Sequence, residues 1–217
     1  MPYSAIRDKK NELIRKARDF SAFVAAESAP VIESLTTGAG ADLAPLPAGY
    51  SDLGHITTDG ASFGRETESA QVRSFGQTEP TREDVTNDTI TLTVTAQETK
   101  LSTIGLYTGV DIANLRAASV TGEVVIDKPN LPNPRYYRML ALAVDESSDG
   151  EIYIARFLPR ARLTEFGEQQ FGEGELSYPL TFTAFSDSAL GTSHRWIFGG
   201  PGWLAMLAEM GIEQATP

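Results

Sequence analysis

Apolar and polar residues alternate most clearly over residues 89–95, where Ile90, Leu92 and Val94 are separated by threonines. Successive side chains of a strand point to opposite faces, so this segment predicts one apolar face and one polar, uncharged face. Comparable patterns predict further strands over residues 120–126, 136–144, 152–158 and 176–184, with a hairpin turn at 147–150. The sequence therefore predicts a mainly β fold with flanking helices.

A long polar stretch follows the first predicted hairpin. That hairpin spans residues 50–65, because the dipeptide Asp59-Gly60 tolerates the positive φ angles of a tight turn. Residues 66–88 are then predicted to form a long loop, although Phe75 lies in it among polar neighbours. Loops longer than about 12–15 residues are usually functional or disordered. Two alternatives stay open: a flexible surface loop, or a loop that orders only against another subunit that covers Phe75.

The strand predicted over residues 176–184 contains a proline. Tyr178, Leu180 and Phe182 share one face of this strand, and Pro179 lies on the other. Proline cannot donate a hydrogen bond to a neighbouring strand, which predicts that this strand is at an edge of the sheet or is bulged. Exposed edges must be protected or paired with a neighbour. Pro179 is therefore a candidate subunit contact.

An amphipathic pattern near the N-terminus predicts a helix over residues 4–26. Its apolar stripe includes Leu13 and Phe20, and Pro30 marks its predicted end. Two roles are open for this helix: packing on its own domain, or docking as an arm on a neighbouring subunit. In the second case Leu13 and Phe20 are candidate subunit contacts. Two shorter helices are predicted over residues 100–107 and 203–210.

Between residues 36 and 49 the chain is rich in Gly, Ala and Pro and loses all periodicity, which is typical of a linker or a wrapping segment. The predicted organisation is an N-terminal helix and Gly/Pro-rich arm over residues 1–49, followed by a β domain over residues 50–217. That domain contains the loop 66–88 and the short C-terminal helix.

Composition and charge exclude several classes of protein. The chain has 217 residues and no cysteine, which excludes disulfides, cysteine zinc sites and thiol nucleophiles. Its net charge is −11, and the first 20 residues are basic while the remainder is strongly acidic. An acidic body repels a phosphate backbone, so ordinary DNA binding is disfavoured. The longest apolar run is far shorter than the ~20 residues that span a bilayer, and the charged first turns disfavour a secretory signal, so no membrane insertion is expected.

Residues that usually indicate an enzyme are missing or isolated. His55 and His194 belong to no ligand or catalytic spacing, and the acidic residues at 145–151 flank a turn, where solvated carboxylates are common. No nucleophile elbow, phosphate-binding loop or dinucleotide fingerprint occurs. The run 199–202 is not a phosphate cradle, because Pro201 lacks an amide and no lysine follows. We therefore predict no enzymatic activity, no cofactor and no metal.

Three groups of residues carry a family resemblance. They are Tyr50, Asp52, Leu53, Gly54, Ile56, Asp59 and Gly60; then Val72, Phe75-Gly76, Glu79-Pro80-Thr81-Arg82 and Val85-Thr86; and finally Tyr178, Leu180, Asp187, Gly191 and the run Gly199–Trp203. In this order they resemble the major tail tube proteins of long-tailed, non-contractile bacteriophages, particularly those of actinobacterial hosts. The chain departs from that pattern at Phe75, where a tryptophan is expected, and in its basic N-terminal segment.

The resemblance implies a tail-tube β-sandwich or barrel fold, with inner strands of a hexameric ring forming one shared barrel and rings stacked into a tube. Such tubes form around a tape-measure protein in the host cytoplasm, with tail terminator and distal tail proteins as further partners. They become part of the virion tail, and DNA passes through them without specific binding. The long loop would contact an adjacent subunit or ring. Candidate interface residues in or beside it are Val72, Phe75, Pro80 and Arg82.

One alternative function remains open from the residues. A monomeric β-sandwich module of a virion could bind carbohydrate or a receptor. Such a module would expose aromatic side chains in a patch. Here Tyr136, Tyr137, Tyr153 and Phe157 are predicted to lie in strand interiors, which favours the self-assembling protein.

Overall fold

The computed structural model describes residues 1–112, 115–128, 130 and 135–215, and this part of the chain is mainly β, with 43% strand and 11% helix. The predicted fold class is confirmed. The strands are β1 (Asp19–Ala26), β2 (Thr36–Thr37), β3 (Asp42–Leu43), β4 (Ser51–Asp52), β5 (Ile56–Val72), β6 (Arg82–Ala96), β7 (Tyr137–Ser147), β8 (Gly150–Phe166), β9 (Tyr178–Ala184) and β10 (Arg195–Gly199). The helices are α1 (Leu101–Thr108), α2 (Pro201–Ala205) and α3 (Leu207–Met210), with 3₁₀ turns at Tyr3–Ile6 and Asn11–Leu13.

One antiparallel sheet contains most of these strands, in the order β4-β1-β7-β8-β9-β6-β5. The long strand β8 is shared by two layers. Up to Ala161 it pairs with β7 on one side, and from there to Phe166 it pairs with β9 on the other. Strand β10 lies beside β8 in the first layer. The start of β5 contacts β1, so the sheet curls on itself, and the described residues form a sandwich-like fold without a closed barrel.

The main core lies between the two layers. Strands β6 and β9 bury every second residue, as the alternating pattern predicted, and helix α1 adds Leu106. Side chains from both layers are fully buried here. They include Leu92, Met139, Leu158, Leu180 and Phe182. Burying one such side chain contributes about 1.5–3 kcal/mol relative to leaving it exposed, so this cluster is the main source of stability.

A second apolar cluster covers the outer face of β7 and β8. Ile32 and Leu35 are buried there against Leu140, Tyr153 and Phe157. The buried side chains of Ile32 and Leu35 therefore anchor the start of the Gly/Pro-rich segment over residues 36–49, and Leu46 of that segment also packs against the cluster. This segment wraps the sheet.

The prediction of a helix over residues 4–26 is wrong. Residues 19–26 form strand β1, which pairs with β7 over its whole length, so part of the predicted arm belongs to the sheet. The strand escaped detection because apolar clusters cover both of its faces. Ala22 and Val24 pack into the main core and Phe23 packs into the second cluster. A strand that is buried on both faces loses its period-two alternation.

The predicted hairpin turn at Asp59-Gly60 and the predicted loop over residues 66–88 are also wrong. Strand β5 continues through this region, and Gly60 has a φ of 68° at an irregularity in the pairing with β6. The two strands then stay paired as far as Val72 and Arg82. A positive φ suits glycine at a β-bulge as well as at a turn, which explains the error. The strand predicted over residues 120–126 is absent as well. Residues 119–121 form a turn, and residues 122–128 contain no strand.

The sequence predicted that the 176–184 strand is at an edge or is bulged at Pro179, and both alternatives are wrong. Strand β9 is paired on both sides, and its pairing with β8 is irregular between Leu163 and Glu165, opposite Phe182 and Thr181. Pro179 is tolerated for a local reason. In an antiparallel pair the N–H and C=O of one residue point to the same neighbour, and the carbonyl of Pro179 accepts from the N–H of Gly167, just past the end of β8. The missing amide therefore faces a place where the neighbouring strand has ended.

The remaining predicted elements are confirmed. They are the strands over 89–95, 136–144, 152–158 and 176–184, the hairpin turn at 147–150, and the helix over 100–107, which ends at Gly109 in the left-handed conformation. The C-terminal helix is present in two pieces, α2 and α3, that meet at Met206. Gly200 and Gly202 let α2 lie against the β7–β8 turn, because a Cβ at either position would lie 2.4 Å from a carbonyl oxygen.

Candidate functional site

The outer part of the β5–β6 hairpin projects from the rest of the fold. This part, residues 65–90, is here called the distal hairpin. Strand β6 pairs with β9 only over residues 91–96, so beyond Ile90 the two hairpin strands pair only with each other. Eight residues of β5, Arg65 to Val72, lie in this part. At about 3.3 Å per residue they extend roughly 26 Å beyond the sheet, before the tip is counted.

The distal hairpin is an ordered ribbon held by its own contacts. Arg65 donates two hydrogen bonds of 2.7 Å to the carboxylate of Asp88 across the strands, and these bonds lower the pKa of Asp88. Ser69 donates to Glu83, and Thr86 Oγ1 donates to the carbonyl of Glu68. A two-stranded ribbon is only marginally stable alone, so these cross-strand contacts define its shape.

The hairpin tip, residues 73–81, and the strand ends beside it present large apolar side chains to solvent. Phe75 is fully exposed, and Val72 and Val85 on the adjoining strands are 51% and 67% exposed. The tip is nevertheless folded, because Ser74 Oγ and Thr81 Oγ1 lie 2.9 Å apart and Gln77 N–H donates to the carbonyl of Ser74. Large apolar side chains held outward on a fixed frame are typical of a protein contact.

Among the predicted interface residues of this region, Val72, Phe75 and Pro80 are all exposed. Arg82 is exposed as well and pairs with Asp84 at 2.8 Å. The structure thus brings these four residues together at one end of the molecule. Whether they contact another subunit stays a prediction.

The predicted contacts outside the hairpin lie elsewhere. Leu13 is half-buried in the N-terminal segment, Phe20 packs against the main core, and Pro179 is half-buried in β9. The N-terminal segment is anchored in cis, because Arg15 and the N–H of Lys16 both bind the buried carboxylate of Asp145. Desolvation raises the pKa of Asp145, but these hydrogen bonds and nearby cations outweigh it, and the pKa is lowered.

The second layer has open strand edges on both sides. On one side the outer edge of β5 pairs with nothing in the described residues. On the other, β8 from Arg162 onward is paired with β9 alone, because the pairing with β7 ends at Ala161. Unpaired edges present free N–H and C=O groups, which are ready to pair with another chain.

One face of this second layer is rich in hydroxyl groups. Thr93 and Thr181 lie directly opposite each other with their Oγ1 atoms 3.0 Å apart, and Thr164 and Thr183 are bonded at 2.8 Å. Their side chains point away from the main core, whose residues alternate with them along β6 and β9. Gly64 completes the face, because a Cβ there would lie 2.6 Å from Thr91 Oγ1. The result is a polar wall that is uncharged along β6 and β9 at residues 89–95 and 181–183, while Arg162 and Glu165 lie opposite Thr183 and Thr181 on β8.

A cavity of ≈900 Å³ opens at the other end of the curled sheet, between the start of β5 and strands β1, β7 and β8. Ala141, Ala143 and Ile154 give it an apolar floor. Arg156 also lines the cavity. Its guanidinium lies 4.0 Å from the ring centroid of Phe63 and 3.5 Å from that of Trp196. Desolvation lowers the pKa of this arginine, although it stays charged at neutral pH.

Aromatic side chains extend from this cavity along β10. Trp196 and Phe198 are stacked with centroids 6.0 Å apart, and Phe198 stacks on Trp203 at 4.8 Å. His194 packs edge-on against Trp196, and its Nε2 is buried with no hydrogen-bond partner in the part of the chain that the structure describes. Burial, followed by the nearby charge of Arg156, lowers the pKa of His194 to about 4, so the ring is neutral at pH 7. Sequence reasoning missed this row, whose signal was the alternation of His194, Trp196 and Phe198.

Groups that could hold a metal do not converge in the described residues. No three His, Asp or Glu side chains there are close enough to bind a metal ion together. His55 is exposed and its Nε2 lies 3.9 Å from Glu98. Asp145 is engaged with the N-terminal segment, so the predicted turn carboxylates do not form one site. No helix in the same part of the chain is long and apolar enough to cross a bilayer.

A curled antiparallel sheet with a projecting hairpin and open edges is suited to association through its strands. Comparison with known families agrees, because the family model described as Phage tail tube protein matches residues 21–201. The chain belongs to the phage tail tube protein family. The match runs from β1 to the start of α2 and includes the whole β5–β6 hairpin. No curated protein matches the chain.

Membership confirms the resemblance found in the sequence and makes the chain a structural protein of the virion tail. A tail tube family is a structural family, generally without enzymatic activity. It also implies self-assembly into a tail tube together with other tail proteins. The actinobacterial subtype stays a prediction.

Proposed function

We propose that this chain polymerises as stacked hexameric rings into the tail tube through which phage DNA reaches the host. The observation that carries the proposal is the second layer of the sheet, whose four strands end in an unpaired edge on each side. The edge of β5 in one copy would pair with the end of β8 in the next. Head-to-tail contacts of this kind generate a ring when the rotation closes, and closure removes all open edges.

Stacking of rings would use the distal hairpin. It extends far enough beyond the sheet to reach another copy, and it offers Val72, Phe75, Pro80 and Arg82 to that copy. Leu13, Phe20 and Pro179 remain proposed contacts of smaller weight, since each is partly covered within its own chain. The N-terminal arm would be residues 1–18 and not the whole predicted region 1–49, because β1 is part of the sheet.

The threonine face is proposed to line the lumen. A conduit must not bind its cargo, and each phosphate neutralised by a basic side chain adds affinity. Hydroxyl groups that are already bonded to one another, as in the pairs Thr93–Thr181 and Thr164–Thr183, offer no such charge. The net charge of −11 also disfavours binding of the DNA phosphates. DNA would therefore pass without specific binding.

Further partners are proposed from the family. The tube would form around a tape-measure protein in the host cytoplasm and meet tail terminator and distal tail proteins. Its function requires no cofactor, no metal and no catalytic residue.

Electron microscopy of the purified protein tests the proposal. Negative staining at high protein concentration should reveal rings with six-fold symmetry, or tubes built from them. Sedimentation in the same buffer should show species much larger than one chain. A chain that remains monomeric throughout this concentration range would contradict the proposed function.

One observation favours a second candidate function. Trp196 and Phe198 are 53% and 41% exposed and stacked, and aromatic rows of this kind suit the faces of sugar rings. A monomeric virion module would use this row to bind carbohydrate. Titration of oligosaccharides against tryptophan fluorescence tests it, with Trp196→Ala as the control. Binding by a strictly monomeric protein would favour this candidate over the tube.

A further inference from the structure

The cavity at the base of the hairpin contains a charged group without a counterion. Of the cations that line it, Arg18 pairs with Glu146 and Lys100 pairs with Glu98 at 2.8 Å. Arg156 has no carboxylate partner among the described residues. Its guanidinium lies over the rings of Phe63 and Trp196, and these contacts do not use its N–H groups as hydrogen-bond donors. A guanidinium held in this way binds a carboxylate with defined geometry.

The hairpin tip carries complementary groups. Glu79 is exposed and has no partner among the described residues, and the exposed ring of Phe75 lies four residues away on the same fixed turn. The cavity offers the apolar surface of Ala143 and Ile154 beside Arg156. At ≈900 Å³ it is as large as sites that hold drug-sized ligands, so it has room for a phenyl ring and a carboxylate together.

A second pair of charges, one on the tip and one on the cavity rim, supports the same orientation of the tip against the cavity. Arg73 at the start of the tip has no partner in the described chain, and Asp59 at the rim of the cavity has none either. The tip thus carries one cation and one anion outside any ion pair among the described residues, and the cavity carries Arg156 together with the unpaired carboxylates of Asp19, Asp52 and Asp59. Opposite charges in matching positions guide two surfaces into one register and suppress others.

The tip cannot reach the cavity of its own chain. Phe63 lines the cavity and Val72 adjoins the tip, and the nine residues from one to the other along β5 span about 30 Å of paired, extended strand. Tip and cavity therefore lie at opposite ends of one rigid hairpin. An interface between two different surfaces of the same chain repeats from copy to copy and produces an open polymer.

We propose that the cavity is the receptor for the hairpin tip of a second copy of this chain, with Glu79 binding Arg156 and Phe75 covering Ala143 and Ile154. This inference rests on the proposed function and names the partner surface for the hairpin.

Charge exchange tests the pair directly in the full-length protein. Glu79→Arg should raise the protein concentration needed for polymerisation at least about tenfold, because close interfacial charge pairs couple by more than one decade of affinity. Glu123→Arg, the same change at an exposed position outside the hairpin and outside every strand, is the matched control and should leave that concentration nearly unchanged. The double variant Glu79→Arg/Arg156→Glu should recover much of the loss. Wild-type polymerisation by Glu79→Arg, or a double variant no better than the single one, would overturn the assignment.

Arg156→Glu alone could unfold the chain, so cross-linking provides a second measurement. The chain has no cysteine, which allows two single-cysteine variants, Phe75→Cys and Ala143→Cys, to be mixed and treated with a short bismaleimide. A covalent dimer of unlike chains is expected within the polymer. Val120→Cys, at a position 94% exposed, replaces Phe75→Cys as the control and should give little dimer.

The outcomes separate the two proposals. If the wild type forms tubes while the Phe75–Ala143 cross-link stays at the control level, the receptor assignment is wrong and the tube function stands. If the wild type forms no tubes and the mixed cysteine variants form no cross-link above the control level, both are wrong.

Discussion

The two halves of the β5–β6 hairpin share one backbone pairing and differ in their surroundings. In the basal half β6 is covered by β9 and the core, and Leu92 and Val94 are almost completely buried. In the distal half the same two strands continue with both faces in solvent, and Val72 and Val85 are more than half exposed. Apolar side chains thus stabilise the fold in one half, while in the other they are available to a partner. Stability and association can therefore be changed separately along one strand pair.

The largest expected effect comes from removing the distal half. Replacement of residues 66–88 by a two-residue Asn-Gly turn leaves every contact of the core in place, so the body should remain folded. Polymerisation should be abolished, because the part that reaches another copy is missing. Circular dichroism with thermal melting measures the first property, and negative-stain microscopy measures the second. Tubes of normal length from this variant would show that the distal hairpin has no part in stacking.

Leucine and valine on the same strand provide the next comparison. Leu92→Ala removes a fully buried side chain and should lower the free energy of unfolding by about 2–5 kcal/mol. Val85→Ala, in the distal half of β6, should change it by less than about 0.5 kcal/mol. Urea denaturation of dilute protein measures both. Equal losses would mean that the distal hairpin packs against its own body.

Two ion pairs distinguish the body from the hairpin in the same way. Arg138 and Asp187 are buried and bonded at 3.2 Å, whereas Arg65 and Asp88 are paired in solvent. Desolvation raises the pKa of Asp187, but the N–H groups of Leu190 and Ala189 and the charge of Arg138 outweigh it and lower the pKa. Asp187→Asn should therefore cost about 3–5 kcal/mol, since it leaves a buried cation without a counterion, with only the carbonyls of Ala29 and Pro159 as acceptors.

Asp88→Asn is the matched control for that change. Because the pair Arg65–Asp88 is solvated, its loss should not move the urea midpoint measurably. Intact stability in Asp187→Asn would mean that water reaches Arg138 in the folded protein.

The basal half of the hairpin could be predicted from the sequence and the distal half could not. In the basal half one face is buried, so Ile90, Leu92 and Val94 alternate with threonines. In the distal half neither face is buried, no alternation is required, and the polar sequence of 66–88 resembles a loop. Strand β1 was not predicted for the opposite reason, because both of its faces are covered. Period-two alternation identifies only those strands that bury a single face.

The candidate site was predictable to a similar extent. Exposed Phe75 and Val72 were recognisable as apolar residues in a polar segment. The cavity was not, because Phe63, Arg156 and Trp196 are far apart in sequence and only the pairing of β8 with β10 and the curl of the sheet bring them together. Contacts between distant strands depend on topology, which the local pattern does not contain.

The smallest expected effect is a dependence of body stability on acid, and it concerns His194. The pKa of this residue is about 4 in the folded chain and ordinarily near 6.5, so the unfolded chain binds the proton first as the pH falls. The contribution of the neutral His194 ring to stability is therefore complete above pH 6.5, declines between pH 6.5 and 4, and stays constant below pH 4.

His194→Gln should show a smaller drop in urea midpoint from pH 7 to 4.5 than the wild type. The distal hairpin contains no histidine, so a variant lacking residues 66–88 should retain the full wild-type drop. An equal drop in His194→Gln would show that His194 does not cause the acid sensitivity. Asp145 and Asp187 would not explain the drop either, because their lowered pKa values place the loss of their contribution below the ordinary pKa of aspartate.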